Sequence, residues 1–452
     1  MKLTVQALVA GAALSLSASM ALAAVDAQTA DQLKSNLTPF GAEKAGNAEG
    51  TIPAWDGGYT SVAPGYENGA PRPDPFAGEK PLFSITAANM AEYSDKLNDG
   101  VKALFAKNPD FRMDIYPSHR TAAAPQWVYD NTFSNATSAQ MGADKNSVSG
   151  AFGGIPFPIP ADGTEAMWNH RLSWFGESVR YALRTFIVTA DGNRALASEG
   201  EELIQAPYYY KGGSAESYDG NYQLGRFIVS GPASKAGEAI LVHDTSAEGK
   251  KRNIWQYLVG QRRVRKAPSV AYDTPDFVTS GVGLFDEAFM MFGPIDRHDY
   301  TLVGKQELYI PYNNNGAALA DIDELMGEHY LNPDKVRWEL HRVWVVDGNL
   351  KQGQRHTVPK RRYYIDEDSW HIVLFDGWDA KGDLWRMNYS LTYLVPELPA
   401  LVTNVMWGGY DLQTGAYYFN AAMNGGTPHY EISEPISENN WSPVELANRG
   451  AR

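Results

Sequence analysis

The chain has 452 residues, 44% of them hydrophobic, enough to fill one large domain or two ordinary ones. Its 53 Asp and Glu against 39 Lys and Arg give a formal net charge of −14, which argues against a nucleic-acid partner. Cysteine is absent, which excludes disulfides, thiol catalysis and acylation at a lipobox.

Taken in chain order, Lys2 gives a positive start, an apolar run begins at Val5, and Ala21-Leu22-Ala23 forms a small-x-small cleavage pattern. Residues 1–23 are therefore predicted to be a signal peptide, with an unlipidated mature chain starting at Ala24 in a periplasm. The apolar run is short and rich in Ala, Gly and Ser, unlike a membrane span, and no later run reaches spanning length. Residues 24–165 are punctuated by Pro and Gly, as from Pro64 to Pro75, and are predicted to form an irregular wrap. Short helices are expected through Met90, Tyr93 and Leu97, and again over 101–107.

From residue 166 to about 400 the texture is that of a curved antiparallel sheet. Strands are predicted over 185–190, 222–229, 239–243, 254–264, 301–310, 336–346, 361–365, 369–375 and 384–391. Helices are expected over 285–292 and 319–329, the second with Leu319, Ile322, Leu325 and Met326 on one face. Residues 401–452 are read as a C-terminal extension packed on the sheet. In 336–346 the even positions Trp338, Leu340, Trp344 and Val346 are apolar, and Arg342 interrupts them. Pointing inward, Arg342 needs an acidic partner or a ligand group.

Several strings resemble a bacterial family known as domain of unknown function 1329. They include Leu37-Thr38-Pro39-Phe40-Gly41, Gly50-Thr51-Ile52-Pro53-Ala54-Trp55, Tyr116-Pro117-Ser118-His119-Arg120, Trp168-Asn169-His170, Gly260-Gln261-Arg262-Arg263-Val264-Arg265 and Tyr309-Ile310-Pro311-Tyr312. A more remote resemblance is to LolA/LolB-like periplasmic lipoprotein and lipid carriers. It rests on Trp255-Gln256-Tyr257-Leu258 running into Arg262-Arg263-Val264-Arg265, and on Tyr364-Ile365-Asp366 facing Phe375-Asp376-Gly377. Where those carriers have a proline between the Asp and the second strand, this chain has Asp368-Ser369-Trp370. The resemblance implies an α+β, mainly β fold: an incomplete barrel with helices covering an apolar cavity. It also implies work beside RND-type inner-membrane exporters and outer-membrane β-barrel proteins.

The nine His are scattered, with no metal-ligand spacing, and no Gly-x-Ser-x-Gly elbow occurs. No catalytic residue, metal or cofactor is predicted. The candidate cavity residues are Trp255, Tyr257, Trp338, Leu340, Arg342, Trp344, Trp370 and Ile372. A second feature is the basic stretch from Lys250 to Lys266, which holds no Asp or Glu. Its Arg262, Arg263 and Arg265 are candidate contacts for lipid headgroups or an acidic partner. Cross-strand pairing to acids such as Asp366–Asp368 is the alternative. The leading expectation is a non-enzymatic carrier of a lipid-like molecule. The runner-up is a glycan-binding or glycoside-active protein using the 12% aromatic content, and a third is an envelope scaffold whose cavity fills itself.

Overall fold

The computed structural model describes residues 25–267 and 270–450, so the predicted signal peptide lies outside the described residues. Sixteen strands make one large sheet, built from two meanders. The first contains Ser178–Val188, Arg194–Gln205, Asn221–Gly231, Ala239–Thr245, Asn253–Leu258 and Arg263–Lys266. The second contains His298–Pro311, Trp338–Leu350, Lys360–Asp366, Ile372–Trp378, Leu384–Ser390, Trp407–Asp411 and Tyr417–Ala422. Successive strands pair antiparallel, and Tyr417–Ala422 pairs with Ser178–Val188, joining the meanders in mid-sheet. The strand order ends at Arg263–Lys266 on one side and Phe83–Thr86 on the other, so the curved sheet does not close into a barrel. Among the described residues no helix is long and apolar enough to cross a membrane.

Both faces of the sheet are covered, which is why Ile372–Trp378 is buried at every position instead of alternating. The helix Asp99–Lys107 covers the second meander, and its first turn sits on a buried carboxylate: Asp376 Oδ1 accepts from Gly100 N at 3.0 Å and Asn98 Nδ2 at 2.7 Å. The first meander is covered on its outer face by residues 438–450, where Trp441 and Leu446 pack on Leu203, Leu224, Leu241 and Tyr257. The N-terminal region is a wrap, as expected, but it includes two regular helices that the Pro and Gly spacing hid. These are Gln126–Ser138 and Gly163–Arg171, the latter capped by Asp162, whose Oδ1 accepts from Thr164 N and Glu165 N.

Several expectations need correction. Residues 401–452 are not simply an extension on the sheet, because Trp407–Asp411 and Tyr417–Ala422 lie at its centre. The 254–264 strand is a hairpin that turns through Arg262 in the left-handed conformation, φ 49°. The 319–329 helix is replaced by two short ones, Asn315–Leu319 and Ile322–Leu325, because Ala320 is extended and Asp321 caps a new start. Residues 369 and 370 belong to a turn before Ile372: Ser369 N and Oγ donate to Asp366 Oδ2, and Trp370 adopts φ 64°.

Phe419 pairs with Phe186 across the junction of the meanders and is 0% exposed. Phe419→Ala is expected to cost about 3–5 kcal/mol. Denaturant unfolding checks this, with hydrogen exchange expected to rise in both meanders together.

Candidate functional site

The concave face of the first meander carries Leu183, Phe227, Ile240 and Val242, one face of their strands, while Leu203, Leu224 and Leu241 lie on the other. Facing them, the loop from Asp276 to Phe292 contributes Phe277, Phe285, Phe289 and Phe292, and the second meander adds Trp407 and Asn420. Between them lies an apolar cavity in which about 80 Å³ is open to the centre of a water molecule. That is room for a handful of waters, not for an acyl chain. The loop's phenylalanines occupy the rest.

Buried polar contacts hold this loop in place. Asp286 Oδ2 meets Arg361 Nη2 at 2.9 Å and His356 Nε2 at 3.0 Å. Burial alone would raise the Asp286 carboxyl, but Arg361 and His356 hold it well below the usual range. Glu287 Oε2 accepts from Leu284 N at 3.0 Å, and Lys235 Nζ donates to the Phe277 carbonyl at 2.9 Å. Just beyond these anchors Phe289 and Met290 take φ values of 51° and 69°. Two successive bulky residues in left-handed backbone store strain where the loop enters the cavity.

Two acids line the same space. Burial pushes the Glu202 carboxyl up to about 8, and Arg226, bonded to Asn440 on the outer face, lowers it only in part. Among the described residues Glu202 makes no hydrogen bond or ion pair. Asp276 is pushed up to about 6 by burial, with hydrogen bonds from Val278 and Thr279 opposing the rise. A second pocket adjoins the first, sharing Gln223, Phe289 and Phe292 as its wall, and is lined by His170, Arg171, Ser173, His371 and Asn404. Burial lowers His170 to about 3 and His371 to about 4, so both rings are neutral near pH 7.

The eight predicted cavity residues are not brought together around this space. Trp255 and Tyr257 lie on the outer face, Tyr257 buried beneath Trp441 and Trp255 edge-on to His243 at 4.9 Å. Trp338 lines a separate small recess with Leu104, Phe111 and Met387, and Leu340 is buried in the main core. Trp344 stacks on Trp370 at 6.1 Å, and Trp370 Nε1 donates to the Phe40 carbonyl at 2.7 Å, so this pair fastens the wrap. Ile372 is buried, its N–H donating to His170 Nδ1 at 3.1 Å. Arg342 is paired internally: Nη1 meets Glu367 Oε1 at 2.8 Å, and Nη2 donates to the Ala45 carbonyl at 2.6 Å. The actual lining was hidden because Ile240, Leu241 and Val242 are apolar on both faces, so alternation could not tell which side looks inward.

Asp366, Glu367 and Asp368 are buried, and their partners come from the wrap and the second meander instead of the basic hairpin. Arg120 holds Asp368 with Nε–Oδ2 at 2.8 Å and Nη2–Oδ1 at 2.6 Å, and Lys305 Nζ meets Glu367 at 2.7 Å. His341, Asp366 and Asp368 offer ligand atoms within 4.8 Å of one another. Asp368 is already neutralised by Arg120, and Asp366 Oδ2 accepts from Tyr312 and Ser369, so the cluster is an internal charge network. Arg262, Arg263 and Arg265 are exposed and form no ion pair among the described residues.

An open antiparallel sheet thus curves over an apolar cavity filled largely by one loop. The chain belongs to the family described as protein of unknown function (DUF1329), which it matches over residues 84–447. A Pseudomonas aeruginosa protein described as uncharacterized protein PA3922 is 37% identical over 451 residues, covering 97% of each chain. Among solved structures, a putative outer membrane lipoprotein-sorting protein domain from Vibrio parahaemolyticus aligns with TM-score 0.44 and 12% identity, over 63% of this chain and 98% of that one. A DUF1329 family protein from Desulfovibrio piger aligns with TM-score 0.42 and 11% identity, over 62% and 95%. The LolA superfamily protein NE2245 from Nitrosomonas europaea gives 0.36 and 10%, over 62% and 98%.

The raised Glu202 carboxyl makes stability depend on pH. Between the unfolded value of about 4.3 and the folded value of about 8, the unfolded chain has lost this proton and the folded one keeps it, so stability falls as pH rises. Glu202→Gln removes that loss. It is expected to stabilise the protein by about 1–3 kcal/mol at pH 8 and by almost nothing at pH 4. Thermal melts at the two pH values check both signs.

Proposed function

We propose that this protein is a periplasmic carrier for a lipid or other hydrophobic molecule, handing its ligand to or from an envelope export system. The observation that carries the reading is the apolar cavity on the concave face, occupied by four phenylalanines of a single loop. A ligand would replace those side chains. Its affinity would come from burying apolar area, at about 25 cal/mol per Å², with relief of the strain at Phe289 and Met290 assisting the exchange. No bound ion or reactive constellation is needed for this task, so the reading is non-enzymatic. Docking to an RND-type exporter or an outer-membrane β-barrel protein would fall to exposed charge, and Arg262, Arg263 and Arg265 are the candidates.

The glycan reading has less support. Aromatic platforms for sugars must face solvent, and the exposed large apolar side chains are Val62, Leu82, Val259, Val303, Leu319 and Val444, with no aromatic among them.

Native mass spectrometry of protein purified from the periplasm is expected to show co-purified lipid. Phe289→Ala is expected to raise binding of a long-chain fluorescent fatty acid several-fold, because it removes the plug. Protein that carries no lipid, with Phe289→Ala no better than wild type, would favour the self-filled scaffold.

Replacing Arg263 and Arg265 with Ser is expected to leave the melting temperature nearly unchanged, since exposed charges contribute about 0–1 kcal/mol each. Binding to vesicles containing anionic lipid should weaken and lose much of its salt dependence, because screening acts on exposed charge. Co-sedimentation at two salt concentrations reads this out.

A further inference from the structure

Arg171 is the last residue of the helix Gly163–Arg171 and is 9% exposed, yet no carboxylate pairs with it. Its Nη2 donates to the Tyr222 hydroxyl at 3.0 Å, while Nε and Nη1 have no partner. Asp244, an acid on a neighbouring strand, is taken by Arg252 at 2.9 Å. The guanidinium lies 4.1 Å from the Trp168 ring centroid and 5.1 Å from that of Tyr222, which offsets only part of the cost of burying a charge. Asn404 lines the same pocket; its side chain lies beside the Tyr430 hydroxyl, but neither Oδ1 nor Nδ2 completes a hydrogen bond among the described residues. A buried polar group without a partner calls for an explanation, and Arg171, His371 and Asn404 each bring one to this pocket. That pocket is separated from the apolar cavity by Phe289 and Phe292, the side chains that would have to move for an acyl chain to enter.

We infer that Arg171 and Asn404 form a headgroup site, and that the ligand is an anionic amphiphile with a carboxylate or phosphate head. This rests on the carrier reading, since the tail occupies the cavity that Phe289 now fills. A guanidinium with two free N–H nitrogens suits an oxyanion, and desolvation strengthens such a contact. The neutral rings of His170 and His371 add no competing charge. Glu202, in the apolar cavity rather than in this pocket, would lie along the tail.

The test compares binding of oleate, oleoyl lysophosphatidate, monoolein and inorganic phosphate to the full chain, each below its aggregation concentration, by isothermal titration calorimetry. The two acids are expected to bind at least tenfold more tightly than monoolein. Arg171→Gln should abolish the preference while retaining monoolein binding, and Arg171→Lys should restore part of it. If Arg171→Gln does not fold, the comparison of acids with monoolein on the wild-type chain decides the matter. Equal binding of acids and monoolein overturns the headgroup site and leaves the carrier reading standing. Failure of all three lipids overturns the carrier reading, and the headgroup site with it. Inorganic phosphate binding as tightly as lysophosphatidate overturns the amphiphile in favour of a free-anion site. The relative strength of oleate and lysophosphatidate identifies the head.

Discussion

The pairing of Tyr417–Ala422 with Ser178–Val188 is the contact on which the rest of the molecule depends. Apart, each meander would end in an unpaired strand and curve over nothing. Joined, Leu183 of one and Trp407 and Asn420 of the other face a common space. Thr185 Oγ1 donates to Asn420 Oδ1 across the seam. Gly408 and Gly409 keep the approach open, since a Cβ at either position would collide with the Tyr418 carbonyl or the Asn388 amide. The loop from Asp276 to Phe292 then has a floor and two walls to pack against, and the second meander holds it through Arg361 on Asp286 and through Arg386, whose Nη1 donates to the Val282 carbonyl at 2.8 Å.

Charge is sorted between two regions of the interior. Where the wrap meets the second meander, Glu339, Glu367 and Asp368 are each matched by Arg337, Arg342, Lys305 or Arg120. Such buried pairs add little net stability but penalise the loss of either partner, so they fix where the wrap lies. Around the cavity the matching is incomplete: Asp286 is paired with Arg361, but other groups are not. Arg171 and Glu202 each lack a counter-ion, and uncompensated groups of this kind concentrate where a protein meets something other than itself.

The sequence was informative where one face of a strand dominates and silent where both faces are covered. The strands around 301–310, 336–346 and 361–365 were legible because β-branched and aromatic residues are bounded by clear turn signals. The family strings were legible too, because they carry the wrap's fixed contacts: Arg120 reaches Asp368, and Asn169 bonds Phe157 in both directions. The cavity was not legible. The carrier resemblance drew attention to Trp255 and Tyr257, whereas these face residues 438–450, and no local pattern announces which face of the sheet that segment covers. The helix Gly163–Arg171 was masked by the prolines just before it, although Asp162 and Glu165 form a start signal. Trp370 read as a strand residue because nothing local reveals that Asp366 will bond Ser369 and fold the chain back.

A sheet that does not close has edges, and one of them is the strand Arg263–Lys266. Its outward backbone N–H and C=O groups form a template for any extended segment, including the same strand in another molecule. Arg263, Arg265 and Lys266 line that rim with like charge, so two copies approaching edge to edge repel each other before their backbones can register. Like charge on that rim therefore disfavours fibre-like stacking of the open sheet.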